Sequence, residues 1–183
     1  MKIHHQLKEE HLTAYLLECM KAETLLHMYE LDEQQVENYL VKTIQLEEEK
    51  QQLLKADYHN MIAEIKAQKL KYGQHIAEVE ELLEKLKQCH LFYLKEDKKY
   101  LEVFQMVVPY LDPEQMSLIF GTEIKNKTAA TDNPVAVGLH YVHNYLMARL
   151  EGHELSKGIA LIIEKVGVWL QELNKRYHKN GLA

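Results

Sequence analysis

The sequence predicts an all-α fold, a single-domain bundle of about six to eight helices with a buried antiparallel helical hairpin at its C-terminal end. Three observations carry that reading. From Met1 to Val108 there is no proline and one glycine, Gly73. Proline removes a donor and clashes inside a helix, and interior glycine costs about 1 kcal/mol against alanine. The same stretch is rich in Leu, Glu, Lys, Gln and Ala, which lose little on entering a helix. Apolar positions then recur every three or four residues, the period of one helix face.

Taken in chain order, the first helix is expected from about Glu9 to Tyr29. Asp32, three residues before Gln35, reads as a capping box that opens a short second helix. A third runs from Glu47 to about Tyr72, with Leu54, Tyr58, Met61 and Ile65 on one face and Gly73 as its stop. The glutamates Glu47, Glu48 and Glu49 sit at its start, where the helix dipole favours negative charge. Ile76, Val79, Leu83, Leu86, His90 and Tyr93 follow at 3-4-3-4-3 spacing. That is a packing seam, either for an antiparallel partner within the chain or for a homodimer.

The second half is punctuated by turn residues. Asp112-Pro113 and Asn133-Pro134 each place a capping residue before proline at the first helical position. Residues 121–133 form a polar loop, and the helix after Pro134 ends near Gly152. Ser156 caps a last helix to about His178. Four residues between these two helices make them antiparallel neighbours. Ile159, Ile162, Ile163, Val166, Trp169, Leu170, Leu173 and Tyr177 share one face of the last helix. Val135, Leu139, Val142, Leu146 and Leu150 form the facing stripe. Ala160 and Gly167, seven apart, mark an edge where another helix can approach closely.

Size and charge bound the function. A chain of 183 residues suits one domain over 1–183 that buries roughly 70% of its unfolded surface. Residues 1–108 hold 14 Lys against 20 Asp and Glu, and residues 109–183 hold 8 of each sign, so the net charge of −6 lies in the first part. No basic stripe stands out, so nucleic acid is not an expected partner. Two cysteines, Cys19 and Cys89, are too few for a disulfide framework and read as reduced thiols. The N-terminal residues lack the apolar core of a signal peptide, and no run approaches the ~18 apolar residues of a membrane span. The expected location is the cytoplasm, with no membrane partner.

The residues with chemical potential are polar groups on apolar faces. Glu23 and His27 fall inside the stripe of Leu12, Leu16, Cys19, Met20 and Leu26, four apart, so their side chains can meet. A buried carboxylate needs a partner, and His27 is the obvious local one. His143 sits between Leu139, Met147 and Leu150, with His140 nearer the polar edge. One carboxylate and two or three imidazoles on core helices are a ligand or metal set. Against this, no glutamate has a histidine three residues later, the pattern of di-iron bundles. A buried Glu–His pair also satisfies two polar groups without any ligand. No phosphate loop, His-Glu-x-x-His, Gly-x-Ser-x-Gly or Cys-x-x-Cys pattern is present, and no cofactor is called for. The leading expectation is a non-enzymatic interaction or scaffold protein, partnered by another protein or by a second copy through the Ile76–Tyr93 seam. The alternative is a small-ligand or metal-binding bundle with its site at Glu23, His27 and His143, and His140 at the mouth.

Two segments carry a family resemblance. The first is Thr13-Ala14-Tyr15-Leu16-Leu17-Glu18-Cys19-Met20-Lys21-Ala22-Glu23. The second is Leu146-Met147-Ala148-Arg149-Leu150, continued by Glu154-Leu155-Ser156 and the helix ending Lys175-Arg176-Tyr177. Together they resemble an uncharacterised family of all-helical bacterial proteins, a domain of unknown function. Met20 stands where that family has tryptophan, and Thr24 where it has a second acid. The resemblance implies an all-helical fold and no established activity.

Overall fold

The computed structural model describes residues 1–112 and 133–179. The helix expected after Asp112-Pro113 and the polar loop expected at 121–133 lie outside the described residues, Asn133 excepted. Among the described residues there are eight α-helices and no strand. They fall into two compact units, Met1–Glu81 and Leu82–Ala183, with the boundary inside one helix.

In the first unit the expected opening helix begins three residues later than its sequence bound, and a short helix precedes it. α1 (His5–Glu10) and α2 (Leu12–Met28) break at His11, whose backbone is extended at φ −142° and ψ 70°. The break leaves α2 free to bury Leu12, Tyr15, Leu16, Cys19, Met20 and Leu26. Asp32 caps α3 (Glu33–Val36) as expected, accepting the Gln35 N–H at 2.8 Å. A π-helical turn, Glu37–Val41, follows and closes with Lys42 N–H on the Glu37 carbonyl. Its wider winding lets Val36 and Val41, five apart, both point inward.

α4 (Glu48–Gln68) packs on α2 and buries Leu54, Tyr58, Met61 and Ile65. It stops four residues short of Gly73, at Lys69, which adopts the left-handed conformation with φ 54°. The Leu70 N–H then reaches back to the Ile65 carbonyl at 3.0 Å, which closes the helix end without glycine. Gly73, at φ 80°, serves the next turn instead. α5 (Ala77–Glu96) starts after it and is gripped at once. The Ile76 amide donates to Glu23 of α2, the Ala77 amide to Glu64 of α4, and Glu78 receives Lys8 and the Tyr15 hydroxyl.

The second unit holds the rest of α5, α6 (Lys98–Gln105), α7 (Pro134–Leu150) and α8 (Lys157–Lys179). Asn133 and Ser156 cap α7 and α8 as expected, accepting from Ala136 and Ile159. The α7–α8 pair packs as a hairpin and α6 lies against α8. Contact is closest at Gly138, where a Cβ would stand 2.6 Å from the Trp169 ring.

The hairpin is buried over one half. Val135 and Leu139 on α7, with Val166, Trp169, Leu170, Leu173 and Tyr177 on α8, are in the core. Towards the connecting turn the same stripes lose their cover: Ile159, Ile162 and Ile163 are half-buried, Leu146 is 42% exposed and Leu150 is 67% exposed. A helical wheel sets which face is apolar, not how far along the helix that face is covered. The six seam residues from Ile76 to Tyr93 are all buried within the chain, at 0–9% exposure.

Candidate functional site

Two buried polar clusters stand out, one in each unit. In the first, Glu23 is a buried carboxylate whose side chain is 4% exposed. Its Oε2 lies 2.6 Å from His75 Nδ1, and its Oε1 accepts the Ile76 N–H at 2.8 Å. Ile76 is the residue before α5, so Glu23 caps that helix from a neighbouring one, where the dipole favours a negative charge. The sequence pointed to His27 as partner; the structure gives His75, 52 residues away and 8% exposed. His27, one turn on from Glu23, is half-buried beside the edge of Tyr72, ring centroids 6.0 Å apart. Burial holds its pKa below the usual value and the Glu23 charge opposes the shift. Its Nε2 has no hydrogen-bond partner among the described residues.

His143 and His140 lie on α7 in the second unit. His143 is 7% exposed, with Nδ1 3.3 Å from the Asn144 amide oxygen; His140 is half-buried. Among the described residues, no three His, Cys, Asp or Glu side chains are grouped so as to hold a metal ion.

The second cluster is centred on His90, which is completely buried. Trp169 Nε1–H donates to the Tyr100 hydroxyl at 2.9 Å, and His90 Nδ1 is 2.7 Å from the same oxygen. Indole is a donor only, so the hydroxyl accepts from Trp169 and its own proton is free to go to His90 Nδ1. The imidazole proton is then assigned to Nε2, which finds no acceptor among the described residues. Phe104 and Trp169 stand edge-on to the imidazole at 4.5 and 5.5 Å between centroids. Burial in this aromatic surround drives the His90 pKa down to about 4.

Beside it, Arg176 of α8 is held by Asp97, to whose Oδ2 its Nε and Nη2 donate at 2.9 and 2.8 Å. Nη1 reaches Glu172 at 2.6 Å, and the guanidinium lies over the Tyr100 ring at 5.0 Å. Asp97 also caps α6 by accepting the Tyr100 N–H. That amide and then Arg176 hold the Asp97 carboxyl below the usual range.

Burial raises the Cys19 and Cys89 thiols to about 12 and about 11, so neither is a nucleophile near neutrality. Sequence reasoning missed His75 because its partner lies on a distant helix, although a polar residue just before a helix start was visible. It placed His90 in the seam and Trp169 in the core without joining them, since 69 residues separate Trp169 from Tyr100. The Arg176 clamp accounts for one residue of the Lys-Arg-Tyr segment that carries the resemblance.

No curated protein and no solved structure matches the chain. A family model matches from residue 1 to residue 182, and the chain therefore belongs to the family described as Domain of unknown function (DUF4924).

Proposed function

We propose that the chain is a non-enzymatic helical interaction protein whose contact surface is the half of the α7–α8 hairpin nearest the connecting turn. One observation carries this reading: Leu146 and Leu150 continue the core stripe of α7, yet are 42% and 67% exposed. Exposed apolar residues that line up with a core stripe mark a surface meant to be covered. The free thiols Cys19 and Cys89 fit a reducing compartment, which supports a cytoplasmic setting. No described helix is long and apolar enough to cross a membrane. The test is a photo-crosslinking amino acid at position 150 in producing cells, with position 175 on the polar face of α8 as control. One dominant adduct at 150 and none at 175 is the expected result; equal, diffuse labelling at both positions overturns the reading.

A second reading takes the Glu23 cluster as a small-ligand site, with His27 rather than His75 as the group that meets the ligand. The buried, unpartnered Nε2 of His27 favours it. His143 and His140 enter this proposal only as further candidates. Native mass spectrometry of untagged protein tests it: excess mass that disappears in His27→Ala supports a site, and a clean apo mass removes it.

A further inference from the structure

Beyond the interaction reading, we propose that His90 and Tyr100 form an acid-released latch: a proton taken up by His90 frees α6 from α5 and α8 while the α7–α8 hairpin stays folded. Tyr100 is the single buried side chain of α6, and Asp97 is the single residue between α5 and α6. Docking of this short helix turns on one hydroxyl, which accepts from Trp169 of α8 and donates to His90 Nδ1 of α5. A second proton on the imidazole goes to Nδ1, so that bond becomes donor against donor and the hydroxyl has to turn away. The imidazolium is then completely buried, edge-on to Phe104 and Trp169, with Nε2–H still unpartnered among the described residues. A buried charge without a partner is relieved by opening to water. Of the three helices around it, α6 has the least burial to give up.

The titratable groups around His90 do not stabilise that cation. On α5, burial raises the Cys89 thiol to about 11 and raises the Tyr93 hydroxyl, so both stay neutral. At the start of α6, Asp97 is bonded to Arg176 and to the Tyr100 amide, and on α8 Glu172 is bonded to Arg176 and Lys175. These bonds hold both carboxyls below the usual range, so they titrate after His90 as pH falls. From α7 it is the Gly138 backbone that meets Trp169; Tyr141 and His143 bond to the Asp112 carbonyl and to Asn144, and His140 is half-buried. Burial alone accounts for the low basicity of His90. Val107, buried beyond α6, pins the following chain, so the freed segment is bounded at both ends. The hairpin keeps its own buried residues, Val135 and Leu139 on α7 with Val166, Leu170 and Leu173 on α8.

Trp169 is the one tryptophan of the chain, so its emission reports whether Tyr100 and Phe104 still cover it. The experiment follows the emission maximum and acrylamide access of the full chain from neutral pH to about pH 4, with circular dichroism for helicity and hydrogen exchange by segment. As pH falls from about 6.5 towards about 4, emission should move to the red and acrylamide should gain access while helicity is kept. Over the same window the opening constant of α6 amides should rise by up to about tenfold per pH unit relative to those of α7 and α8, after correction for intrinsic exchange. His90→Phe should hold the emission in place, and Asp97→Asn, which removes the neighbouring carboxyl, should still shift as wild type does. The same shift in His90→Phe overturns the latch, as does its loss in Asp97→Asn. Emission and helicity lost together overturn it too, because the whole unit then unfolds rather than α6. Hydrogen exchange needs no variant: α6 amides that open no more than those of α8 at about pH 4 overturn the proposal in wild type alone.

Discussion

A Cβ added to Gly138 on α7 would stand 2.6 Å from Cζ3 of Trp169 on α8, closer than two carbon atoms can approach. The indole cannot swing away, because its Nε1–H is bonded to Tyr100 and its ring packs on Phe104 and His90. Gly138→Ala should therefore lower stability by about 1–3 kcal/mol, the usual range for overpacking a closed core. Gly167→Ala is the control: its Cβ meets nothing within 4 Å, so it should raise stability by about 0.5–1 kcal/mol through helix propensity. Urea midpoints of the two variants check both signs. A neutral Gly138→Ala would mean that the hairpin is looser than this contact requires.

Glu23 is the second position where a small change should read clearly. Glu23→Ala leaves the Ile76 amide and His75 without their shared acceptor and should cost about 1–3 kcal/mol. Glu23→Gln keeps an amide oxygen for the Ile76 N–H and should cost less. If the two substitutions cost the same, the helix-start hydrogen bond contributes nothing and the charge is the whole interaction. Combining Glu23→Ala with His75→Ala should cost less than the sum of the two, since both remove the same contact.

These relationships show why the fold was easier to read than its polar interior. Helices follow from local pattern, so α3 and its Asp32 cap, the seam of α5 and the caps of α7 and α8 were visible in short windows. The stop at Lys69 was not, because an open backbone bond at Leu70 outweighed the preference of Gly73 for positive φ. Pairings such as Glu23 with His75, or Trp169 with Tyr100, depend on which helices become neighbours, and a single sequence does not carry that. The extent of burial along α7 was hidden for the same reason: Leu139 and Leu150 are equivalent on a wheel and opposite in exposure.

Asp97 does two jobs, and the two should separate by substitution. It caps α6 through the Tyr100 N–H at 3.1 Å and holds Arg176 of α8 through two further bonds. Asn at a cap position accepts the same amide, so Asp97→Asn should lose only the ion pair, while Asp97→Ala should lose the cap as well and be the less stable of the two. Arg176→Lys keeps the charge but not the planar fork, and should cost about 1–2 kcal/mol despite looking conservative. Thermal unfolding of the single and double variants measures the coupling. Strict additivity of Asp97→Asn and Arg176→Lys would show that the clamp is two independent contacts.

The largest share of the pH dependence of stability should trace to His90, with the burial-lowered His4 and His27 adding in the same direction. Its folded pKa is about 4 against an ordinary 6.5, because protonation would place a cation in a closed aromatic surround. Between those values the unfolded chain binds a proton at this position and the folded chain does not. The slope of unfolding free energy with pH is then positive, so stability falls as pH falls from about 6.5 towards about 4. Each pH unit inside that window removes at most about 1.4 kcal/mol, and below the folded pKa the loss levels off. His90→Phe removes the titration and keeps an aromatic ring in the space, while Tyr100 retains its bond from Trp169. The variant should be less pH-sensitive than wild type across the window, even if it is less stable at pH 7 through the lost hydrogen bond. Urea midpoints at several pH values, compared as slopes rather than absolute stabilities, decide it: identical slopes in wild type and His90→Phe would place the acid sensitivity elsewhere in the chain.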